Sequence, residues 1–416
     1  MGLRIFVFRL IFLRNAFSHN ALGFFFFELE EKSLYYERDF FLSPTLEAVM
    51  ATSPTPGLSS RLILLFSVTA GASVGNLYWA QPLLALIAES FGMPTHEAGL
   101  VVTLTQVGYA LGVFLIVPLG NVLSRQRLVP IEMASASLAL IGCAVAPSFW
   151  MLLTMSLLVG LSTIGGQIIT PLAGDMAADH QRGKVLGLVI SGLVLGILIV
   201  RALSGIIADF LGWRSVFFVG AALMLILALL HSRALPSLPP KEKLSYGALL
   251  RSVILLPTTD ARIPRCMLMG ALPMGVFMLF WTGLIYLLSA PPFSYSAGQI
   301  GLMGLLSVTG VLISLVIGQL YDRGLARPAI LVGLLMTLGA VAASGLWHGS
   351  IWAIGLVIIV FSVGIQIALV LVQTSLLSLN PIARSRLNTI FVVGNFIAGA
   401  LGSGAAGLFW EWKGWS

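Results

Sequence analysis

The sequence predicts an all-α polytopic membrane protein built from two similar halves. Three observations carry this: the composition, the number of stretches long enough to cross a bilayer, and an internal repeat. Hydrophobic residues make up 58% of the chain and charged residues 9%, which leaves too little polar surface to cover a water-soluble body of this length. The net charge of +7 does not point to nucleic acid, because the basic residues cluster in short loops between apolar stretches, where membrane topology accounts for them. Cys143 and Cys266 both sit in apolar runs and have neither metal-site spacing nor the number for a disulfide framework.

A helix needs about 20 apolar residues to cross the hydrocarbon core. Eleven stretches qualify: 62–88, 98–120, 128–146, 149–173, 185–208, 214–231, 266–289, 297–320, 328–346, 351–378 and 388–409. Pro82, Pro118, Pro171 and Pro273 fall within or beside them, where neighbouring helices can satisfy the freed carbonyls and a kink is tolerated. Gly394, Gly399, Gly402 and Gly404 suit close backbone approach in lipid, which supplies no hydrophobic drive between helices.

Lys and Arg sort by loop. Arg125, Arg127, Arg182, Lys184, the group from Arg233 to Arg265, Arg323, Arg327, Arg384 and Arg386 all follow even-numbered spans, against Arg214 and Lys413 on the other side. Positive loops stay in the cytoplasm, so the N-terminus and these loops are predicted cytoplasmic. Residues 233–265, polar and Pro-containing, read as a linker between a first bundle at 61–232 and a second at 266–416. Residues 1–60 read as a cytoplasmic tail with neither a convincing span nor a signal-peptide cleavage site. Met50 followed by ATSPTPGLSSR is the expected true start, with an amphipathic anchor as the alternative.

The repeat shows when VPLGNVLSRQR, after the second span, is laid over GQLYDRG, after the eighth: Val117 over Gly318 and Asn121 over Asp322 share a displacement of 201 residues. The fifth span, VLGILIVRALSGIIADFLGW, lies over the eleventh, VVGNFIAGALGSGAAGLFWEWKGW, with Ala202 and Leu203 on Ala400 and Leu401, displaced by 198. Two parallel repeats of six spans suit a transporter with its site at the midplane between them. The repeat predicts that a twelfth span is missing.

These residues resemble the major facilitator superfamily over about 60–416. Gly318–Gly324, with Asp322 and Arg323, is similar to the family's G-x-L-x-D-R-x-G loop. In the first copy Asn121 and Ser124 replace an acid and a glycine, while Arg125 and Arg127 keep the basic part. The resemblance implies a conformational latch at Asn121, Arg125, Arg127, Asp322 and Arg323, because an acid at a helix end beside an arginine can hold one face closed. More narrowly, NLYWAQPLL (76–84), TLTQVGYALG (103–112) and GILIVRALSG (196–205) resemble the bacterial efflux branch that exports drugs, sugars and purine nucleosides. That likeness implies a monomer in the bacterial cytoplasmic (inner) membrane exporting a small organic solute against protons. Val200 and Arg201 stand where the family's antiporter motif has Gly-Pro.

Arg201 stands out without the family, as the one Lys or Arg well inside an apolar span. Leaving it unpaired at the bilayer centre costs at least about 2.5 kcal/mol, so it should face a cavity. Seventeen residues beyond Lys184 place it about 25 Å along the helix. There it holds an anionic or hydroxyl-rich substrate, responds to protonation of a partner, snorkels outward, or pairs with Asp209. Further candidates for the substrate site are Asn76, Gln81, Gln106, Tyr109, Trp281 and Gln366. Gln106 and Tyr109 share a helical face, as do Gln366 and Gln373, although amides in membrane helices also bridge helices and Tyr286 suits an interfacial aromatic belt.

Glu132, Asp175 and Asp209 read as membrane-boundary acids, leaving no carboxylate in mid-span to carry a proton. No enzyme motif, metal spacing or cofactor signature is present, so catalysis, a cofactor and a metal are not expected. The expected partners are a small-molecule substrate, protons and lipid. A passive facilitator or sensor with these helices, and an inactive remnant lacking its last helix, are the alternatives.

Overall fold

Lipid offers the backbone no hydrogen-bond partner, so apolar stretches of this length must close their amides internally as helices. The computed structural model describes residues 58–178, 180–236, 245–380 and 383–415. Residues 1–57 of the tail, Met50 among them, and 237–244 of the linker lie outside the described residues, as does the side chain of Asn121. In order, the helices are α1 (Ser60–Gly75), α2 (Leu84–Phe91), α3 (Leu100–Leu115), α4 (Arg125–Ala144), α5 (Phe149–Ser162), α6 (Gly165–Met176), α7 (Arg182–Leu211) and α8 (Trp213–Ala234). They are followed by α9 (Tyr246–Leu255), α10 (Arg262–Ser289), α11 (Ala297–Met303), α12 (Val308–Asp322), α13 (Ala326–Leu346), α14 (Ile351–Ser378) and α15 (Arg384–Lys413). Among the described residues, ten continuous or nearly continuous helices are long and apolar enough to span. The remaining predicted crossing, the first, is interrupted.

That interruption is one of two departures from the predicted spans that matter for the site. The first span breaks between α1 and α2 at Asn76–Ala80, ahead of a short 3-10 turn containing Pro82, which has no N–H to continue the ladder. The fourth breaks between α5 and α6 at Thr163 and Ile164. The two breaks are joined: Asn76 Nδ2 donates to Thr163 Oγ1 at 3.2 Å, and Trp79 Nε1 donates to Asn76 Oδ1 at 2.9 Å.

Two residues read as boundary groups, Glu132 and Tyr286, are placed otherwise, and Asp209, exposed near the end of α7, is engaged away from Arg201. Glu132 is 4% exposed and its Oε1 accepts from Ile164 N at 2.8 Å and Gly165 N at 2.9 Å. It caps the start of α6, where orphan amides and the helix dipole favour a carboxylate. Asp209 is not held for Arg201. It accepts from Ser296 Oγ at 2.7 Å and Gly298 N at 3.0 Å, capping α11. Tyr286 is not part of an interfacial belt; it is buried and its hydroxyl donates to His96 O at 3.1 Å.

The linker also differs from an unstructured polar stretch. Its second part folds as α9, capped by Ser245, with Leu249 and Val253 buried. The Tyr246 hydroxyl donates to Leu115 O at 2.7 Å, tying the linker to the end of α3.

Helices pack through small residues. A Cβ added to Gly196 would lie 2.3 Å from Gly71 Cα, and one on Gly402 2.0 Å from Gly275 O, so α7 meets α1 and α15 meets α10 backbone to backbone. One junction of the two halves lies at the end away from the basic loops. There α7 packs on α11 and the turn 304–307, with no comparable packing of α7 on α12. These two elements therefore diverge toward the basic end. Beside them α3 packs on α15, with Thr103 Oγ1 donating to Ser403 Oγ at 3.2 Å and the Tyr109 ring 4.3 Å from that of Phe396. Gly57–Ser416 forms one compact unit.

At the basic end Arg125, itself nearly buried, donates from Nη1 to Asp175 Oδ2 at 2.9 Å and from Nε to Gly120 O at 2.8 Å. This ties the start of α4 to the end of α6. The pair lies between the exposed and buried regimes, so Arg125→Ala is expected to cost about 1–3 kcal/mol. A thermal unfolding scan of the detergent-purified chain reads this as a lowered midpoint. Arg127, Asp322 and Arg323 are exposed, and among the described residues they carry no ion pair.

Candidate functional site between the two halves

Arg201 is the centre of the site. It lies on α7 within the contact with α11, its backbone against Gly301, and only 3% of its surface is exposed, so it does not snorkel. Its guanidinium carbon sits 4.6 Å from the ring centroids of both Tyr78 and Trp281 and 5.8 Å from that of Phe277. Tyr78 is delivered by the break in the first span, whereas Phe277 and Trp281 stand one turn apart on α10. Gly304 makes room on the other side: a Cβ there would lie 3.4 Å from Arg201 Cδ. Phe361, from α14, stacks on Phe277 and Phe280. Tyr78 from the first half and Phe277 and Trp281 from the second thus enclose the cation carried by α7 in aromatic rings, with Phe361 stacked behind Phe277, an arrangement that ring quadrupoles favour.

The polar demand of this site is unmet. Arg201 Nε and Nη2, Trp281 Nε1 and both amide atoms of Gln106 are buried without a hydrogen-bond partner. Native interiors seldom leave such groups unpaired, and each costs about 1–3 kcal/mol when they do. Gln81, 2% exposed, reaches from the first span toward Met278 Sδ at 3.8 Å. A Cβ on Gly399 would meet Met278 Cγ at 3.2 Å and Gln106 Oε1 at 3.8 Å. The turn Phe277–Trp281 of α10 therefore links the Arg201 group to Gln81 and Gln106.

The other predicted residues fall into two groups. Asn76 stitches the two helix breaks, as described. Tyr109 belongs to a chain of hydrogen bonds across the halves. Gln167 Nε2 donates to its hydroxyl at 3.1 Å, Asn388 Nδ2 donates to Gln167 Oε1 at 3.4 Å, and Gln373 Nε2 donates to Asn388 Oδ1 at 2.9 Å. Gln373 is thus engaged with Asn388, and Gln366 is half-buried on α14. Cavities of about 280 and 520 Å³ lie against α10, α13 and α15 and against α1 and α8, and their linings contain none of the predicted residues. Sequence reasoning missed Tyr78 and Phe277 as partners of the arginine, and Phe361 behind them, since an aromatic on an apolar face carries no signal of its own.

Comparison with known proteins decides the family. The sequence profile of the Major Facilitator Superfamily matches residues 62–403. The chain belongs to the Major Facilitator Superfamily. Among superfamily members, it is 37% identical over 365 residues to the putative uncharacterized transporter YgaY of Escherichia coli K12, covering 88% of this chain and 93% of that one. It is 29% identical to the probable transporter SCO4007 of Streptomyces coelicolor, covering 86% and 84%. Among solved structures the nucleoside transporter NupG aligns with a TM-score of 0.68 at 14% identity, over 85% of this chain and 94% of that one. A bacterial homologue of the human lysosomal transporter Spinster, inward-facing and unoccupied, aligns with a TM-score of 0.68 at 16% identity, over 84% and 81%. The superfamily fold is therefore present, and a transporter function goes with it.

Proposed function

We propose that the chain is a secondary active transporter that exports a small organic solute in exchange for protons, across a bacterial cytoplasmic membrane and as a monomer, with the basic loops in the cytoplasm. The observation that carries this reading is the unpaired, aromatic-walled Arg201 at the seam of the two halves. A fixed cation with free donors binds a solute only while the seam is open, and α7 and α12 diverge toward the basic end, the side from which an exporter loads. Glu132 supports proton coupling: it is the buried carboxylate among the described residues, and it caps α6 beside Thr163. Thr163 bonds Asn76, two residues from Tyr78, so a proton taken up there acts on the wall of the site. The sequence strings shared with drug, sugar and nucleoside exporters support the direction of transport.

The test is solute flux in proteoliposomes holding the chain, with and without an imposed pH gradient, for a panel of dyes, sugars and nucleosides. Gradient-driven movement of at least one solute is expected. Flux indifferent to the gradient would make the chain a passive facilitator, and no flux from folded protein would contradict transport of this panel.

A further inference from the structure

The direction of the unmet hydrogen-bond demand narrows the solute, taking the proposed transport site as its premise. We infer that the site around Arg201 takes a singly charged organic anion, a carboxylate on an apolar or aromatic body, through a two-point contact with the guanidinium.

Charge comes first. A guanidinium stays protonated in a protein, yet among the described residues no carboxylate reaches Arg201: the acid that follows on its own helix, Asp209, is occupied at the start of α11, and Glu132 at the start of α6. The positive charge is therefore buried and uncompensated until a solute arrives. The other arginine buried among the described residues, Arg125, is already paired with Asp175, which leaves one cation in the site. One cation matches one negative charge, and this favours a carboxylate over a phosphate dianion.

Geometry comes second. The two arginine nitrogens that are fully buried without a partner are Nε and Nη2, and these are the pair whose N–H bonds run parallel along one edge of the guanidinium. That edge fits the two oxygens of a carboxylate, the fork that distinguishes arginine from lysine. Trp281 Nε1, also unpaired and buried, adds a third donor. A neutral hydroxyl could use one of the donors and would leave the charge uncompensated; an ammonium would be repelled. The aromatic walls of Tyr78, Phe277 and Trp281 keep the guanidinium plane fixed and suit an apolar body beside the carboxylate.

The test uses three probes of nearly the same shape, benzoate, benzamide and benzylammonium, titrated against the purified full-length chain. Binding is read from tryptophan fluorescence and confirmed with radiolabelled benzoate. Saturable benzoate binding is expected, at least about tenfold tighter than benzamide, with no competition from benzylammonium. Arg201→Gln should weaken benzoate by about tenfold or more and abolish the preference over benzamide. Arg201→Lys, which keeps the charge and loses the fork, should keep a reduced preference. No saturable benzoate binding, equal affinity for benzamide, or unchanged benzoate binding in a folded Arg201→Gln protein would overturn the proposal. Gradient-driven export of a neutral solute by a chain that does not bind benzoate would overturn the anion assignment and leave the transport reading intact.

Discussion

Gly205→Leu is expected to abolish transport while leaving the chain folded. Gly205 is where α7 crosses α11: a Cβ there would lie 2.1 Å from Ala297 O, 2.5 Å from its carbonyl carbon and 2.8 Å from Gly298 Cα. All three are backbone atoms, so no rotamer change relieves the clash. The seam at this end must spread, and overpacking of this kind costs about 3 kcal/mol, roughly a hundredfold in the equilibrium between arrangements. Each half keeps its internal packing, because the clash is with the other half. Two readouts check this. Solute flux should fall to background, and alkylation of a cysteine introduced by Ala297→Cys, slow while the seam is packed, should become fast. Unchanged flux and unchanged alkylation would show that this seam does not have to close for transport.

The second large effect concerns Glu132. Glu132→Ala removes the acceptor for two amides, Ile164 N and Gly165 N, and strands both inside the bundle. At about 1–3 kcal/mol for each unsatisfied donor, the loss is on the order of 2–6 kcal/mol, enough to lower the thermal midpoint steeply or to prevent folding. Glu132→Gln keeps an acceptor oxygen in nearly the same place and should largely restore stability. It cannot exchange a proton, so the reading in which Glu132 couples transport to protons predicts a folded Glu132→Gln protein whose solute flux no longer responds to a pH gradient. Wild-type gradient dependence in that variant would reduce Glu132 to a helix cap.

The difference between what the sequence exposes and what it hides is physical. Length and hydropathy dictate the membrane helices, since a bilayer forces every apolar stretch into a self-satisfied backbone; the spans from α7 onward lie where the sequence places them. Arg201 was legible for the same reason: a charge inside an apolar run is costly wherever it faces. The helix breaks were only half legible. Pro82 signals a kink in the first span, but nothing in Ser162–Gly166 says that a glutamate 32 residues before Ile164 takes the freed amides. Glu132 itself misled, because counting residues from a helix end gives depth and not which face the side chain occupies. Its exposure, 4%, follows from α4 packing against its neighbours. Of the aromatic walls Trp281 was a candidate, but Tyr78 and Phe277 were hidden, since they meet Trp281 around Arg201 only when the two halves pack together.

The central claim is that solute crosses between the halves at Arg201. Proteoliposomes holding equal amounts of folded wild-type chain or Arg201→Gln, energised by the same pH gradient, test it most directly with whichever solute the wild-type chain moves. A charge-assisted contact is worth about 1.5–3 kcal/mol, so the variant should move that solute roughly ten- to a hundredfold more slowly. An Arg201→Gln protein that transports at the wild-type rate would place the solute path elsewhere and contradict the account.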